Sequence, residues 1–258
     1  MTNFYSFFKF LHDKKGKPIP FEIKLIYAPE TLSKEDLQVE GYLDLSNTKI
    51  TTLPDNLKVG GALYLSNTKI TTLPDDLQVR GSLYLSDTQI TTLPNNLKVG
   101  DNLDLSHTPI TTLPDNLKVG GYLDLSNTPI TTLPDNLKVG GSLYLLNTPI
   151  TTLPDNLKVG GNLILSNAKK ITTLPDNLKV EGYLNLSNTK ITTLPDNLQV
   201  GSALNLSNTK ITTLPDNLKV EGVLILSNTP LSKKYTEEQI RKMIEDKGGS
   251  VRKGSLKI

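Results

Sequence analysis

The chain has 258 residues and a formal net charge of +2, and it contains no cysteine, no tryptophan and only two histidines. Without cysteine it can form no disulfide framework, thiolate metal site or cysteine nucleophile. A net charge this close to zero argues against a nucleic-acid-binding protein. The sequence has no run of about 18 apolar residues, so it predicts no membrane span. We therefore expect an intracellular protein, or one that is delivered into a host cell.

Residues 1–40 contain all five phenylalanines and do not follow the pattern of the rest of the chain. A helix is predicted at about 3–12 because four apolar residues lie on one helical face. These four residues are Phe4, Phe7, Phe8 and Leu11. The alternation of apolar and polar residues across 21–27 predicts a strand. We interpret residues 1–40 as a cap over the end of the following segment, and the alternative for the helix is a membrane-surface anchor.

From residue 41 to 231 the chain repeats a 20-residue unit, in which Leu-x-Leu recurs ten times and Leu-Pro nine times. One unit carries an extra residue within 167–171. The alternation in Leu63-Tyr64-Leu65 predicts a short strand with both leucines on one face, and Pro54 excludes a long helix. A single unit has too few apolar side chains to offset the entropy of ordering its backbone. The units must therefore stack around a shared core.

The repeated pattern Leu63-x-Leu65-x-x-Thr68-x-Ile70, followed by Leu73-Pro74, resembles the leucine-rich repeat. Within that family it is similar to the short LPX-type repeats of bacterial effector proteins. The resemblance covers about residues 41–231 and implies an α/β solenoid dominated by parallel β-strands. The expected fold is a leucine-rich repeat horseshoe of 20-residue units, with an N-terminal helix/strand cap and a C-terminal helical cap.

One position departs from the family throughout the repeat. The buried asparagine of leucine-rich repeats is replaced by threonine at Thr48, Thr68, Thr88, Thr108, Thr128, Thr148, Thr189, Thr209 and Thr229. A hydroxyl offers fewer donors and acceptors than an amide, so we expect the ladder of hydrogen bonds either to be weaker or to be partly carried by the adjacent Asn67-type residue. At Ala168 the position has no polar group. Together with the extra residue, this predicts a local defect between the seventh and eighth strands.

Residues 232–258 are expected to cap the other end of the solenoid. Thr236 and Gln239 form a capping box, which predicts a helix at about 237–247 that ends at Gly248-Gly249. The stretch that follows is a basic tail. We interpret it as a solvated terminus, and the alternative is contact with an acidic partner or nucleic acid.

Most of the variation between units falls on residues that flank the strand leucines and point away from the core. In a leucine-rich repeat these residues lie on the concave face, so the resemblance implies a binding surface there. Six of the nine tyrosines belong to this surface, and tyrosine is enriched in protein interfaces. The candidate partner-binding residues are Tyr42, Asp44, Tyr64, Tyr84, Asp104, His107, Tyr122, Asp124, Tyr144, Leu146 and Tyr183.

Neighbouring units should bring some of these side chains together. A strand spacing of about 4.8 Å predicts that Tyr64 stacks on Tyr84 and that Asp104 lies beside Asp124. Two carboxylates at that distance repel each other unless a cation lies between them. A calcium ion is one alternative, and two solvated aspartates are the interpretation that we favour. We expect the binding patch within residues 64–146, including an exposed Leu146.

No set of residues indicates catalysis or a cofactor. His12 and His107 lie far apart in sequence, and neither belongs to a nucleophile or metal-ligand pattern. The sequence therefore favours a non-enzymatic, monomeric protein-binding scaffold without cofactor or metal, which binds neither nucleic acid nor membrane. Such a protein could be a bacterial effector or a phage-encoded binder of a host factor. The alternatives are binding to ice or carbohydrate surfaces through the arrays of Thr71-Thr72 and its copies, and a purely structural repeat array.

Overall fold

The computed structural model describes residues 20–176, 178–252 and 254–258. Each repeat unit forms one turn of a solenoid and contributes a two-residue strand to each of two parallel sheets of eleven strands. Equivalent residues of consecutive units pair, as Leu123 does with Leu143. The fold class expected from the repeat, a parallel-strand solenoid, is confirmed.

The first sheet, here called the Leu-x-Leu sheet, contains the strands that the repeat predicts. Both leucines of each pair point into the core, and Leu63 and Leu65 are 0% exposed. The strands are Leu43–Asp44, Leu63–Tyr64, Leu83–Tyr84, Leu103–Asp104, Leu123–Asp124, Leu143–Tyr144, Leu163–Ile164, Leu184–Asn185, Leu204–Asn205, Leu224–Ile225 and Leu256–Lys257. The first ten belong to the repeat, and the last comes from the C-terminal tail.

The second sheet, here called the Lys-Val sheet, was not predicted from the sequence. In its nine inner strands the valine is buried and the lysine or glutamine is exposed. Each strand therefore has only one apolar residue, which is too short a pattern to predict a strand. The strands are Gln38–Val39, Lys58–Val59, Gln78–Val79, Lys98–Val99, Lys118–Val119, Lys138–Val139, Lys158–Val159, Lys179–Val180, Gln199–Val200, Lys219–Val220 and Ser250–Val251.

One continuous core fills the interior of the solenoid. Each unit buries the six apolar side chains that the repeat marks, for example Leu63, Leu65, Ile70, Leu73, Leu77 and Val79. Because every unit shares these contacts with the next, burial stabilises the stack and not the single turn.

A tight corner follows each Leu-x-Leu strand. Asn127 occupies it with a φ of 59°, a conformation that asparagine tolerates better than most residues. The next residue, Thr128, donates its hydroxyl to the Leu125 carbonyl at 2.7 Å. The same bond recurs at every threonine of this position. Threonine therefore fixes the corner of its own unit.

Asparagine side chains at the corner link consecutive units instead. Asn147 donates its amide to the Asn127 amide oxygen at 2.8 Å, and Asn228 donates to Asn208 at 3.1 Å. The expectation that the Asn67-type residue carries part of the ladder is confirmed at these positions.

The extra residue in 167–171 does not interrupt the Leu-x-Leu sheet. Leu163 pairs with Leu184 and Ile164 pairs with Asn185, as in regular units. A turn at Lys169 and Lys170 accommodates the insertion. The predicted defect between the seventh and eighth strands of this sheet was therefore wrong. In the Lys-Val sheet both strands keep two residues at this point, and Val159 pairs with Val180.

At the N-terminal end, the strand predicted at 21–27 was wrong, because Phe21–Tyr27 is an α-helix (α1). A run of seven residues is too short for its pattern of apolar residues to distinguish the period of a strand from the period of a helix. The helix buries Leu25 in the solenoid core, and Lys24 forms an ion pair with Asp36 at 3.0 Å. A 3₁₀ turn at Pro29–Thr31 follows. The helix predicted at about 3–12 lies outside the described residues.

The C-terminal helix is confirmed. Helix α2 covers Pro230–Lys234 and α3 covers Glu237–Asp246, with the capping box of Thr236 and Gln239 in place. Gly248 ends it with a φ of 74°.

The interpretation of the basic tail as a solvated terminus was wrong. Ser250–Val251 pairs with the last repeat strand of the Lys-Val sheet, and Leu256–Lys257 pairs with the last repeat strand of the Leu-x-Leu sheet. The tail thus adds the last strand to each sheet at the C-terminal end of the solenoid. Leu256 supplies a buried side chain, and the backbone of both segments pairs with the last repeat unit.

Candidate functional site

The outward side of the Leu-x-Leu sheet carries the candidate residues and is here called the Tyr/Asp face. Strand alternation buries the leucines and leaves the residues between and before them facing outward. Tyr42 is 71% exposed, and Asp44 and His107 are also exposed. The half-buried members are Tyr64, Tyr84, Asp104, Tyr122, Asp124, Tyr144, Leu146 and Tyr183. The expectation that Leu146 is exposed was therefore wrong.

Tyrosines from the first three strands form one aromatic group. The rings of Tyr64 and Tyr84 are stacked, with centroids 4.8 Å apart and planes 8° apart. Tyr42 meets Tyr64 edge-on at 6.5 Å. The predicted stacking of Tyr64 on Tyr84 is confirmed. Each ring limits the motion of its neighbour, so the group presents a large, ordered area to a partner.

Two aspartates occupy the next two strands. Asp104 and Asp124 are paired residues of neighbouring strands, as the repeat predicted. Asp104 accepts hydrogen bonds from the backbone N–H and the hydroxyl of Ser106, at 2.9 and 2.7 Å. Asp124 accepts from the Ser126 N–H at 2.8 Å. These hydrogen bonds hold each carboxylate against the residues that follow it in the chain. Among the described residues, neither carboxylate forms an ion pair.

The environment of Asp124 disfavours its ionised form. Burial raises the pKa of Asp124, hydrogen bonds from Ser126 lower it, the neighbouring Asp104 carboxylate raises it, and His107 lowers it. The net direction is upward. A positively charged partner group placed between the two carboxylates would relieve both the burial cost and the repulsion.

Two more tyrosines, Tyr122 and Tyr144, lie next to the acidic pair. Their rings meet edge-on with centroids 6.0 Å apart. Burial raises the pKa of Tyr122, and so do the nearby Tyr84 hydroxyl and Asp104 carboxylate. Tyr122 therefore lies between the aromatic group and the acidic pair and joins them into one surface.

A row of polar side chains borders this surface at the strand corners. The amide nitrogen of Asn127 lies 3.1 Å from Nε2 of His107. Asn147 extends the row through its bond to Asn127. Sequence reasoning named His107 but missed Asn127, Asn147 and Ser106. These residues match the consensus of the repeat, so no difference between units marked them.

Asp44 is paired with Tyr64 at the edge of the aromatic group, whereas Tyr183 lies apart from the other tyrosines. Asp44 is on the first strand, where its carboxylate accepts from the Ser46 N–H at 2.9 Å. Tyr183 is separated from Tyr122 by two intervening strands, and its N–H donates to the Asn162 side chain at 2.8 Å. The structure thus gathers the tyrosines and aspartates of 64–144 and leaves the outer candidates at the margins.

The described part of the chain contains no group of three or more histidine, aspartate or glutamate residues arranged to hold a metal ion. Every helix in residues 20–176, 178–252 and 254–258 is also too short or too polar to cross a lipid bilayer.

A scan against protein-family models found no match, and a search of curated proteins found none either. Among solved structures, the chain is similar to a leucine-rich repeat protein of Leptospira interrogans, at 20% identity over 86% of this chain and 87% of that one, with a TM-score of 0.31. It is also similar to YopM from Yersinia enterocolitica, at 18% identity with a TM-score of 0.39. That alignment covers 84% of this chain and 59% of YopM, so this chain spans less than two thirds of the YopM length.

Proposed function

We propose that the chain, a leucine-rich repeat protein by its 20-residue period and its stacked Leu-x-Leu strands, is a non-enzymatic scaffold that binds another protein through the Tyr/Asp face. The observation that carries the proposal is the contiguity of ordered tyrosines with a half-buried, unpaired carboxylate pair. Tyr84 and Tyr144 flank Asp104 and Asp124 on four consecutive turns of the solenoid.

This combination matches the energetics of protein interfaces. Tyrosine contributes a large contact area at a low cost in side-chain entropy, and interface hot spots are enriched in it. The carboxylates gain a favourable pairing only when a donor or a cation arrives, because their present partners are neutral serine groups. We expect such a partner to present an arginine or lysine flanked by apolar side chains.

The test replaces Tyr84 and Tyr144 with asparagine, which other units already carry at the equivalent Asn185 and Asn205. The solenoid should accept these changes with little loss of stability. The natural chain and the variant are used as bait in lysates of the source cell or its host, and captured proteins are identified by mass spectrometry.

We expect the variant to bind the captured partner at least tenfold more weakly, since interface tyrosines rank among the hot spots that cost about 2 kcal/mol or more. A matched control replaces Lys138 and Lys158 with glutamine on the Lys-Val sheet. Equal binding by the natural chain and the tyrosine variant would contradict the proposal.

A further inference from the structure

The Lys-Val sheet carries a second surface that the proposed function does not use. Its outward residues form a row of cations in register, in which Lys98 pairs with Lys118 and Lys118 pairs with Lys138. Adjacent strands lie about 4.8 Å apart, so these ammonium groups lie close to one another. All three are exposed, and none forms an ion pair with a described residue.

In most units an aspartate precedes the lysine in the sequence. Eight of the nine repeat units that contain Leu-Pro have an aspartate directly after the proline, three residues before the lysine or glutamine of the Lys-Val strand. The exception is Asn95, three residues before Lys98. The unit of Lys98 therefore has one negative charge fewer than the unit of Lys118, which carries Asp115.

A second change falls on the neighbouring strand. The residue after the strand valine is glycine or glutamate in every other unit, but it is Arg80 next to Lys98. Arg80 is exposed and forms no ion pair with the described residues. The carboxylate of Asp76 in the same unit accepts from the Asn56 N–H at 2.9 and 3.0 Å, so it is directed toward the preceding unit.

These changes coincide with a groove of about 340 Å³. The described residues that line it are Gln78, Val79, Arg80, Lys98, Val99, Gly100 and Lys118. None of them is acidic. The groove thus has three cations, a floor formed partly by strand backbone and two valines, and no internal counter-charge.

We propose that Arg80, Lys98 and Lys118 form a docking groove for a short acidic segment of a protein partner, on a different sheet from the Tyr/Asp face. The patch covers three strands. The neighbouring groove, which Gln78 and Arg80 also line, contains the carboxylate of Glu40, and Asp101 directly follows Gly100 in the sequence. A long polyanion such as a nucleic acid would meet these carboxylates, and a chain of net charge +2 provides little long-range attraction for it. A peptide with a few carboxylates fits within these three strands.

The experiment measures fluorescence anisotropy of a labelled oligoglutamate peptide titrated with the full chain at low ionic strength, where surface charge pairs are least screened. A peptide of about six residues spans roughly 20 Å when extended, enough to cross the groove. Oligolysine and a single-stranded oligonucleotide of similar length are the comparison probes.

Three variants use residues that the repeat already contains at equivalent positions, so each should fold. Arg80→Gly with Lys98→Gln removes two groove cations, and Asn95→Asp restores the missing carboxylate. Lys138→Gln with Lys158→Gln is the control, which removes the same number of charges outside the groove. Circular dichroism and the melting temperature check folding.

We expect the groove double variant to weaken oligoglutamate binding by about tenfold, since each exposed charge pair contributes modestly. Asn95→Asp should weaken it by a smaller factor, and the control should leave it unchanged. The proposal is overturned if oligoglutamate does not bind, if the control variant loses as much affinity as the groove variant, or if the oligonucleotide binds more tightly than the peptide. Because the Tyr/Asp face is unaltered in all three variants, these outcomes are independent of the function proposed for it.

Discussion

Replacing Thr128 with valine removes one hydrogen bond from the solenoid and nearly nothing else. The Thr128 side chain is buried, at 3% exposed, and its hydroxyl donates to the Leu125 carbonyl at 2.7 Å. Valine has almost the same shape, so no cavity forms. The carbonyl keeps a long backbone bond from the residue 128 N–H, at 3.3 Å, and is therefore not left without a donor. We expect a loss of about 1 kcal/mol, the net contribution of a typical buried hydrogen bond.

The chain supplies a natural reference for this substitution. At Ala168 the same corner lacks the hydroxyl, and the backbone N–H approaches the Leu165 carbonyl more closely, at 3.0 Å. If the backbone N–H of residue 128 approaches the Leu125 carbonyl in the same way in the variant, the loss in the free energy of unfolding stays near the lower end of the range for buried polar groups.

The assay is urea unfolding followed by circular dichroism, with Thr128→Ser as the control. Serine keeps the hydroxyl and loses one methyl group, which costs about 0.8 kcal/mol by burial alone. Thr128→Val and Thr128→Ser should therefore lower the free energy of unfolding by similar amounts, the first through a lost hydrogen bond and the second through a lost methyl group. Thr128→Ala removes both groups and should lower the free energy of unfolding more than either. An unfolding midpoint for Thr128→Val equal to or above that of the natural chain would refute the role given to this hydroxyl.

Three other predictions concern Asp124 on the Tyr/Asp face, the C-terminal strands of the solenoid and the rows of exposed threonines. Because the folded chain raises the pKa of Asp124, its contribution to stability is full below the ordinary value of 3.8 and is lost as the pH rises through the folded pKa. Asp124→Asn should therefore raise the melting temperature at pH 7, with a gain that vanishes toward pH 3.8; an equal gain at both pH values would contradict this. The full chain should be monomeric by light scattering, and deletion of residues 250–258 should cause self-association by exposing the last strand of each sheet. An unchanged mass after deletion would show that these strands do not protect the edges. The exposed threonine rows lie outside both sheets, so we expect no thermal hysteresis in ice-growth measurements, and a positive result would revive ice binding.

The Leu-x-Leu sheet and the core could be predicted from the sequence because the same spacing of apolar residues occurs in every unit. Leu63, Leu65 and Ile70 recur at fixed spacing, and only stacked strands bury all of them together. The same register placed Tyr64 on Tyr84 and Asp104 beside Asp124. Local capping chemistry at Thr236 also identified α3 correctly, since a capping box acts within a few residues.

The rest required tertiary contacts. Phe21–Tyr27 has a pattern that suits a strand or a helix, and its helix buries Leu25 in the core at the end of the solenoid. The tail is too polar to indicate strands by itself, yet its segments at 250–251 and 256–257 pair with open edges that only the folded repeat creates.

By itself, the sequence determined the period, the core and the residues that face outward, because these depend on spacing that every unit repeats. The tertiary structure alone decided the Lys-Val sheet, the burial of Asp124 and the groove beside Arg80. Each of these depends on the distance between residues of different units, which the backbone path sets.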